Sequence, residues 1–339
     1  MSEVRPKKRV LSGIQPTGKL HIGNYIGALS VWVQTQSQYE NIFCIADLHA
    51  ITIPEAIEPG DLALKTREMA ALYLAAGLDP DQSVIFLQSD VWAHPYLAWI
   101  LGCCTPLGWL ERMTQYKSKA ANLEVISAGL LTYPVLQAAD ILLYKPDLVP
   151  VGEDQKQHVE LARDVAQRFN HLYGDCFPLP APQIRVSGAR IMGLDAPETK
   201  MSKSIGAIRR GHAIGLLDSP DVIKKAIMSA VTDTSSETRF DHAGPGVRNL
   251  LVLYEALSGE SRAAIEDQFE GRGYGTLKKA LLELAVSTLK PIQERYHELT
   301  ADPDYLERLL EDGAERARAI ADATVAEVRG LTGLVSSRS

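Results

Sequence analysis

The chain has 339 residues, 46% of them hydrophobic and 23% charged, which is the composition of a globular protein of about two domains and excludes disorder and fibrous repeats. Its formal net charge of −7 argues against indiscriminate nucleic-acid binding and leaves room for a local basic face. No run of about 18 uncharged apolar residues occurs, no apolar stretch follows the short basic start, and Cys44, Cys103, Cys104 and Cys176 contain no C-x-x-C pair; the reading is a cytoplasmic chain with no membrane span, signal peptide or zinc cluster.

In chain order, Arg9 to Ser12 reads as a strand, a Gly/Pro-rich loop runs to Lys19, and Ile22 to Gln34 reads as a helix. Asn41 to Ala46 and Ser83 to Leu87 are continuous apolar runs, the mark of strands buried on both faces. Between them Asp61 to Ala76 reads as a helix stopped by Gly77 and Pro80. The pattern from Trp92 to Tyr144 is helical, Leu148 to Val151 is a strand, Asp154 to Phe169 a helix, and 175 to 197 a Pro/Gly-rich loop with short strand pieces. Beyond Ser219, which with Pro220 opens a helix, everything reads helical, including Val247 to Leu257, Gly275 to Thr300 and Tyr305 to Glu327. Alternating strands and helices predict an α/β fold, a Rossmann-like parallel sheet with a helical insertion, followed by an all-helical C-terminal domain. Ligands then gather at the carboxyl ends of the strands.

Four segments could carry chemistry. Ser12 to Asn24 joins the first strand to the first helix; its three glycines and the helix N-terminus suit a phosphate, or the segment is a plain turn capped by Thr17. Lys200-Met201-Ser202-Lys203-Ser204 puts two ammoniums three residues apart between the presumed domains, either positioned cations for a polyphosphate or a solvated basic loop. In Val149 to His158, Gly152 permits close approach while Glu153 and Asp154 are acceptors for a ribose diol, with N-capping as the structural alternative. In the apolar stretch Leu131 to Tyr144, Gln137 and Asp140 share a helix face, so a buried carboxylate there is either satisfied within the core or accepts a ligand's N–H. His49 follows the second strand and belongs at the ligand edge; His94, in a Trp/Pro-rich stretch, reads as structural.

Together these segments resemble the class I aminoacyl-tRNA synthetases. His21-Ile22-Gly23-Asn24 is similar to their HIGH signature, and Lys200 to Ser204 is an intact KMSKS. The Ser12 to Gly18 loop, Gly152-Glu153-Asp154-Gln155-Lys156-Gln157-His158, and Tyr133-Pro134 with Ala138-Ala139-Asp140 resemble the bacterial tryptophanyl branch, and the likeness runs from about Val10 to Gly330. It implies activation of L-tryptophan by ATP with Mg2+ to tryptophanyl-adenylate and pyrophosphate, and transfer of the tryptophanyl group to tRNA(Trp). By motif match, Lys200, Lys203, His21 and Lys117 are the implied catalytic groups at the phosphates. Gln15, Pro16, Thr17, Gly23, Asn24, Gly152, Glu153, Asp154, Ile191, Met201, Ser202 and Ser204 are the implied ATP contacts. Asp140 is implied as acceptor of the indole N–H, with Leu11, Gly13, His49, Gln137, Val149, Val151 and Gln155 completing that pocket. The resemblance further implies a catalytic domain over 1–206, a homodimer formed through an insertion at about 92–121 with Trp99, Leu107 and Trp109 apolar on it, and an anticodon-reading helical domain over 207–339 with Lys224, Lys225, Lys278, Lys279 and Arg295 as basic candidates.

The sequence departs from the pattern in three places. Asn24 replaces the second His of HIGH, as is usual in this branch. Gln137 stands where many members carry Met, and Ile205 to Gly211 is more basic than the common continuation. The chain has no C-terminal cysteines for the iron–sulfur cluster of some relatives. A tyrosyl enzyme is the near alternative, which the Gln-Pro-Thr-Gly and Gly-Glu-Asp-Gln segments disfavour; a non-charging binding module is the distant one, disfavoured by the intact lysines and complete helical region.

Overall fold

The computed structural model describes residues 7–121, 123–152, 155–184, 190–234 and 237–335. Five strands, β1 (Arg9–Ile14), β2 (Glu40–Ile45), β3 (Ser83–Leu87), β4 (Leu148–Val151) and β5 (Ala181–Ile184), form one all-parallel sheet in the order β3-β2-β1-β4-β5. Side chains alternate across it. Ile42 and Cys44 of β2 enter one apolar core, Phe43 and Ile45 the other, so both faces are buried and the strands read as unbroken apolar runs.

The strand order reverses at β1. Along β2 it stays in register from Arg9↔Glu40 to Ile14↔Ile45, whereas its pairing with β4 is at Val10↔Leu148. Beyond that point β1 and β4 part, and a crevice opens at their carboxyl ends, the switch point where ligands bind in such sheets.

After β1 the chain enters α1 (Ile22–Asn24), a π turn (Tyr25–Leu29) and α2 (Ser30–Thr35), so the expected first helix forms with one widened turn in it. A short α3 (Asp47–Ala50) follows β2, then α4 (Pro59–Ala75) leads to β3. The insertion is α5 (Ala93–Cys104), α6 (Leu107–Glu111), α7 (Thr114–Ala120) and α8 (Ala128–Leu143), and α9 (Lys156–Tyr173) links β4 to β5. Trp99 and Leu107 are exposed on the insertion and Trp109 is half-buried.

The remainder is helical: α10 (Lys203–Ile208), α11 (Pro220–Met228), α12 (Pro245–Ser258), α13 (Arg262–Phe269), α14 (Tyr274–Ala301) and α15 (Pro303–Thr332). α14 packs on α4, α11 and α12. α15 returns to lie across β3, burying Leu306, Leu310, Ala314, Ala317, Ala321, Val325 and Val328 at helical spacing. At the crossing stands Gly313, where a Cβ would overlap the carbonyl oxygen of Ile85. Arg316 Nη1 donates to the carbonyls of Pro80 (2.6 Å) and Ser83 (3.2 Å), and Thr324 Oγ1 to that of Leu143 (2.8 Å).

Of the basic residues proposed to face RNA, Lys278 does not. It is buried, and its ammonium donates to the carbonyls of Met228 (3.1 Å) and Ala230 (2.8 Å), closing the C-terminal end of α11. Lys224, Lys225, Lys279 and Arg295 are exposed.

Candidate active site

The crevice between β1 and β4 holds a cavity of about 450 Å3. Leu11, Gly13, His49, Gln137, Asp140, Val149, Val151 and Gln155 all line it, as do Gln15, Thr17 and Gly152. The placement follows from periodicity: Tyr133, Gln137, Asp140 and Ile141 fall on one face of α8, at i, i+4, i+7 and i+8, and that face forms the cavity wall. Trp32 and Cys44 add apolar surface. Gln15 Nε2 donates to the His49 carbonyl (3.3 Å), tying the loop after β1 to α3.

Asp140 is buried among donors. Oδ2 receives His49 Nε2 at 2.7 Å; Oδ1 receives both Gln88 Nε2 and His94 Nδ1, each at 2.7 Å. Burial by itself would push this carboxyl up. The interactions with His49 and His94 outweigh it and hold the group well below the usual carboxylate range. An ionised carboxylate only accepts, so His49 carries its proton on Nε2 and His94 on Nδ1. His94 Nε2 is 2.8 Å from the Tyr144 hydroxyl, which burial keeps protonated and therefore donating. Four lone-pair sites exist on a carboxylate; among the described residues three are taken, and the open one is on Oδ2.

A cation also enters the cavity wall, and it is Lys119. Its Nζ lies 4.9 Å from the centroid of the Tyr133 ring, and burial lowers its pKa. The Tyr133 hydroxyl bonds His158 Nε2 (2.8 Å), and burial pushes it up to about 12. Lys117, two residues earlier on the same helix, is exposed and lies outside the wall. The phase of α7 is set where Gln157 Oε1 accepts from the Thr114 backbone N–H (2.9 Å) and hydroxyl (2.8 Å).

The two signature segments meet on the other side of the Thr17–Gly18 turn. His21 is buried, and its backbone pairs with Gly215. Asn24 Oδ1 accepts from the His21 N–H at 3.1 Å. A Cβ on Gly23 would come within 3.0 Å of His21 Nδ1 and 3.6 Å of Ile191 Cβ, so only hydrogen fits there without displacement. The Ile191 carbonyl accepts from the Met201 N–H (3.1 Å), and Met192 bridges to Lys200. Met201 is thus a buried anchor, Ser202 Oγ caps the start of α10 (3.3 Å to the Ile205 N–H), and Lys200 is exposed. A second cavity of about 710 Å3, lined by Lys19, His21, Ser202, Arg210 and Lys225 among others, opens on this side. Pro16 is buried beside the turn. Glu153 and Asp154 lie outside the described residues, as do the side chains of Lys203 and Ser204.

Sequence reasoning missed Gln88, His94 and Lys119 as parts of this site. One signal was available: Gln88 stands just past the end of β3, as His49 stands past β2.

Comparison with known proteins follows the same lines. The model of the family described as tRNA synthetases class I (W and Y) matches residues 3–290. The chain is 52% identical over 330 residues to the tryptophan–tRNA ligase of Wolinella succinogenes, covering 97% of this chain and 99% of that protein. It is similar in structure to the tryptophanyl-tRNA synthetase of Mycoplasma pneumoniae (TM-score 0.87, 37% identity, 97% of this chain and 99% of that one). It is also similar to that of Campylobacter jejuni complexed with ADP and tryptophan (TM-score 0.84, 39% identity, 96% and 100%).

Proposed function

The chain belongs to the class I tRNA synthetases for tryptophan and tyrosine, and from that premise we propose that it is a tryptophan–tRNA ligase. The observation that carries the choice of tryptophan is the open acceptor on Asp140, in a cavity that Leu11, Trp32, Ile141 and Val149 also line. Indole N–H is a donor only and matches an acceptor-only site. A phenyl ring has no donor and leaves the buried carboxylate unpaired.

In the first step a carboxylate oxygen of tryptophan attacks the α-phosphorus of ATP. The bond to the β-phosphate oxygen breaks, giving tryptophanyl-adenylate and pyrophosphate. Charge moves onto non-bridging oxygens, so positioned cations supply the main stabilisation. Lys119 does this from the cavity wall, in the place the sequence pattern gave to Lys117, with Lys200 and Lys203 from their loop and His21 beside them. Gln15, Thr17, Gly23, Asn24 and Ile191 hold the nucleotide, and Gly152, Glu153 and Asp154 the ribose. In the second step the terminal ribose hydroxyl of tRNA(Trp) attacks the adenylate's carbonyl carbon, and AMP leaves.

Mg2+ belongs with the ATP. Among the described residues no group of three or more His, Cys, Asp or Glu is arranged to hold a metal. Residues 1–206 form the catalytic part and 207–339 read the anticodon, through Lys224, Lys225, Lys279 and Arg295. A second copy covers Trp99 (76% exposed) and Leu107 (57%) on the insertion, making a homodimer. Among the described residues no helix is long and apolar enough to cross a membrane, and the protein works in the cytoplasm.

Exchange of labelled pyrophosphate into ATP, with tryptophan and tyrosine offered separately, tests this reading. Exchange with tryptophan alone is expected. Exchange with tyrosine alone overturns the substrate, and exchange without subsequent charging of tRNA favours the binding-module alternative.

A further inference from the structure

Three side chains reach the Asp140 carboxylate, and a fourth holds one of the three. Gln88 comes from the end of β3, His94 from the first turn of α5, Tyr144 from the end of α8 and His49 from α3. His94 is 0% exposed and outside the cavity wall. Its ring also stacks near Phe86 (5.8 Å) and Tyr144 (5.6 Å), which fixes its plane. The Gln88 amide is fixed too, because its Oε1 accepts from the Leu48 N–H (3.1 Å) and leaves Nε2 for Asp140.

We propose that His94 and Tyr144 are positioning residues for substrate selection. His94 and Gln88 fill both lone-pair sites of Asp140 Oδ1, Tyr144 holding His94 in place, and the open site is left on Oδ2 for the ligand. The proposal rests on the reading of Asp140 as the indole acceptor. In the line Tyr144 O–H to His94 Nε2, and His94 Nδ1–H to Asp140 Oδ1, the tyrosine holds the imidazole in the one tautomer that donates to the carboxylate. A ring freed to place its proton on Nε2 would turn a lone pair toward Asp140. The carboxylate would then lose a donor, rotate, and offer the ligand a less defined acceptor.

A merely structural role for His94 leaves the pH dependence of tryptophan selection where it is; a positioning role moves it. The groups facing Asp140 are His49 from α3, Cys44 from β2, His94 from α5 and Tyr144 from α8, with Asp47 acting on Cys44 and Asp322 on Tyr144. Of these, His94 and His49 favour the ionised form, so removing His94 raises the pH at which Asp140 protonates.

The test uses the full chain carrying Tyr144→Phe, His94→Leu or His94→Asn, in ATP–pyrophosphate exchange with tryptophan and with phenylalanine and tyrosine as competitors. Tyr144→Phe removes one hydrogen bond and little volume. The expected result is a rise in KM for tryptophan of roughly two- to tenfold with kcat nearly unchanged, and weaker rejection of phenylalanine. His94→Leu should raise KM further and move the acid limb of kcat/KM to higher pH. His94→Asn, whose amide can still donate to Asp140, should bring that limb back toward wild type. Folded Tyr144→Phe and His94→Leu proteins with wild-type KM, selectivity and acid limb overturn the proposal alone. A wild-type protein that exchanges with tyrosine and not tryptophan overturns the functional reading and this proposal with it.

Discussion

Replacing Asp140 by Asn tests the site at its centre with almost no change of shape. The carboxylate receives three donors at 2.7 Å and keeps one acceptor site for a ligand. In the variant, the amide oxygen can still take Gln88 and His94, and His49 can change tautomer to accept from the new amide nitrogen. The side turned to the ligand then carries an N–H, so the indole donor meets a donor. Loss of a hydrogen bond to a charged group weakens tryptophan by about 1.5–3 kcal/mol, or roughly 10- to 160-fold in Kd. Calorimetric titration with tryptophan measures this directly, and the KM for ATP in exchange should stay within about twofold, the scale of an uncoupled substitution. Stability gives a second readout. Asp140 titrates lower in the folded chain than its unfolded value of about 3.9, so its contribution is complete above that pH and is lost as pH falls through the lowered native value. The stability gap between wild type and Asp140→Asn should therefore narrow below about pH 4. An unchanged Kd for tryptophan in the folded variant would refute the reasoning.

Three further outcomes are expected. Lys119→Met should lower the exchange kcat by about a hundredfold through loss of a cation in the wall, whereas the exposed Lys117→Met should stay within about twofold; the reverse order would place Lys117 at the phosphates. Gly23→Ala puts a methyl at 3.0 Å from His21 Nδ1 and should cost roughly ten- to a hundredfold in kcat with tryptophan binding unchanged, which single-turnover kinetics and titration separate. Lys278→Met leaves two inward-facing carbonyls without their donor and should lower stability by about 1–3 kcal/mol in urea unfolding, with exchange kcat at the wild-type level.

What could be read from the sequence was what neighbouring residues decide together. Asn41 to Ala46 and Ser83 to Leu87 are apolar without alternation because the sheet is covered on both faces. Gly77 and Pro80 mark the end of α4 through local backbone chemistry. Gln137 and Asp140 share a wall because a helix repeats every 3.6 residues. What escaped depends on contacts made across the chain. His94 is buried and fully bonded, which is what a structural histidine looks like from its surroundings, yet its partner is a carboxylate 46 residues away. Lys117 and Lys119 differ only by a rotation of α7, and that rotation is set by Gln157 on another helix. Lys278 sits on an amphipathic helix where a solvated ammonium is the ordinary expectation; the carbonyls that receive it come from a segment 48 and 50 residues earlier.

The seating of α15 on β3 also orders events in time. β3 is one of the two outer strands of the sheet, and Gly313 is the residue that lets a helix lie directly on the Ile85 carbonyl. The ribosome finishes β3 long before it reaches that glycine. At ~5–20 residues per second, roughly 11–45 s pass with the strand's outer face and margin bare. A bare margin is a template on which another nascent chain can pair. The thirty residues of α15 thus act as a late clasp, and the vulnerable species in the cell is the nearly complete chain, not the unfolded one. A chain ending at Asp302 should accumulate as aggregate on expression; recovery of that truncation as a soluble monomer would show that the sheet protects itself.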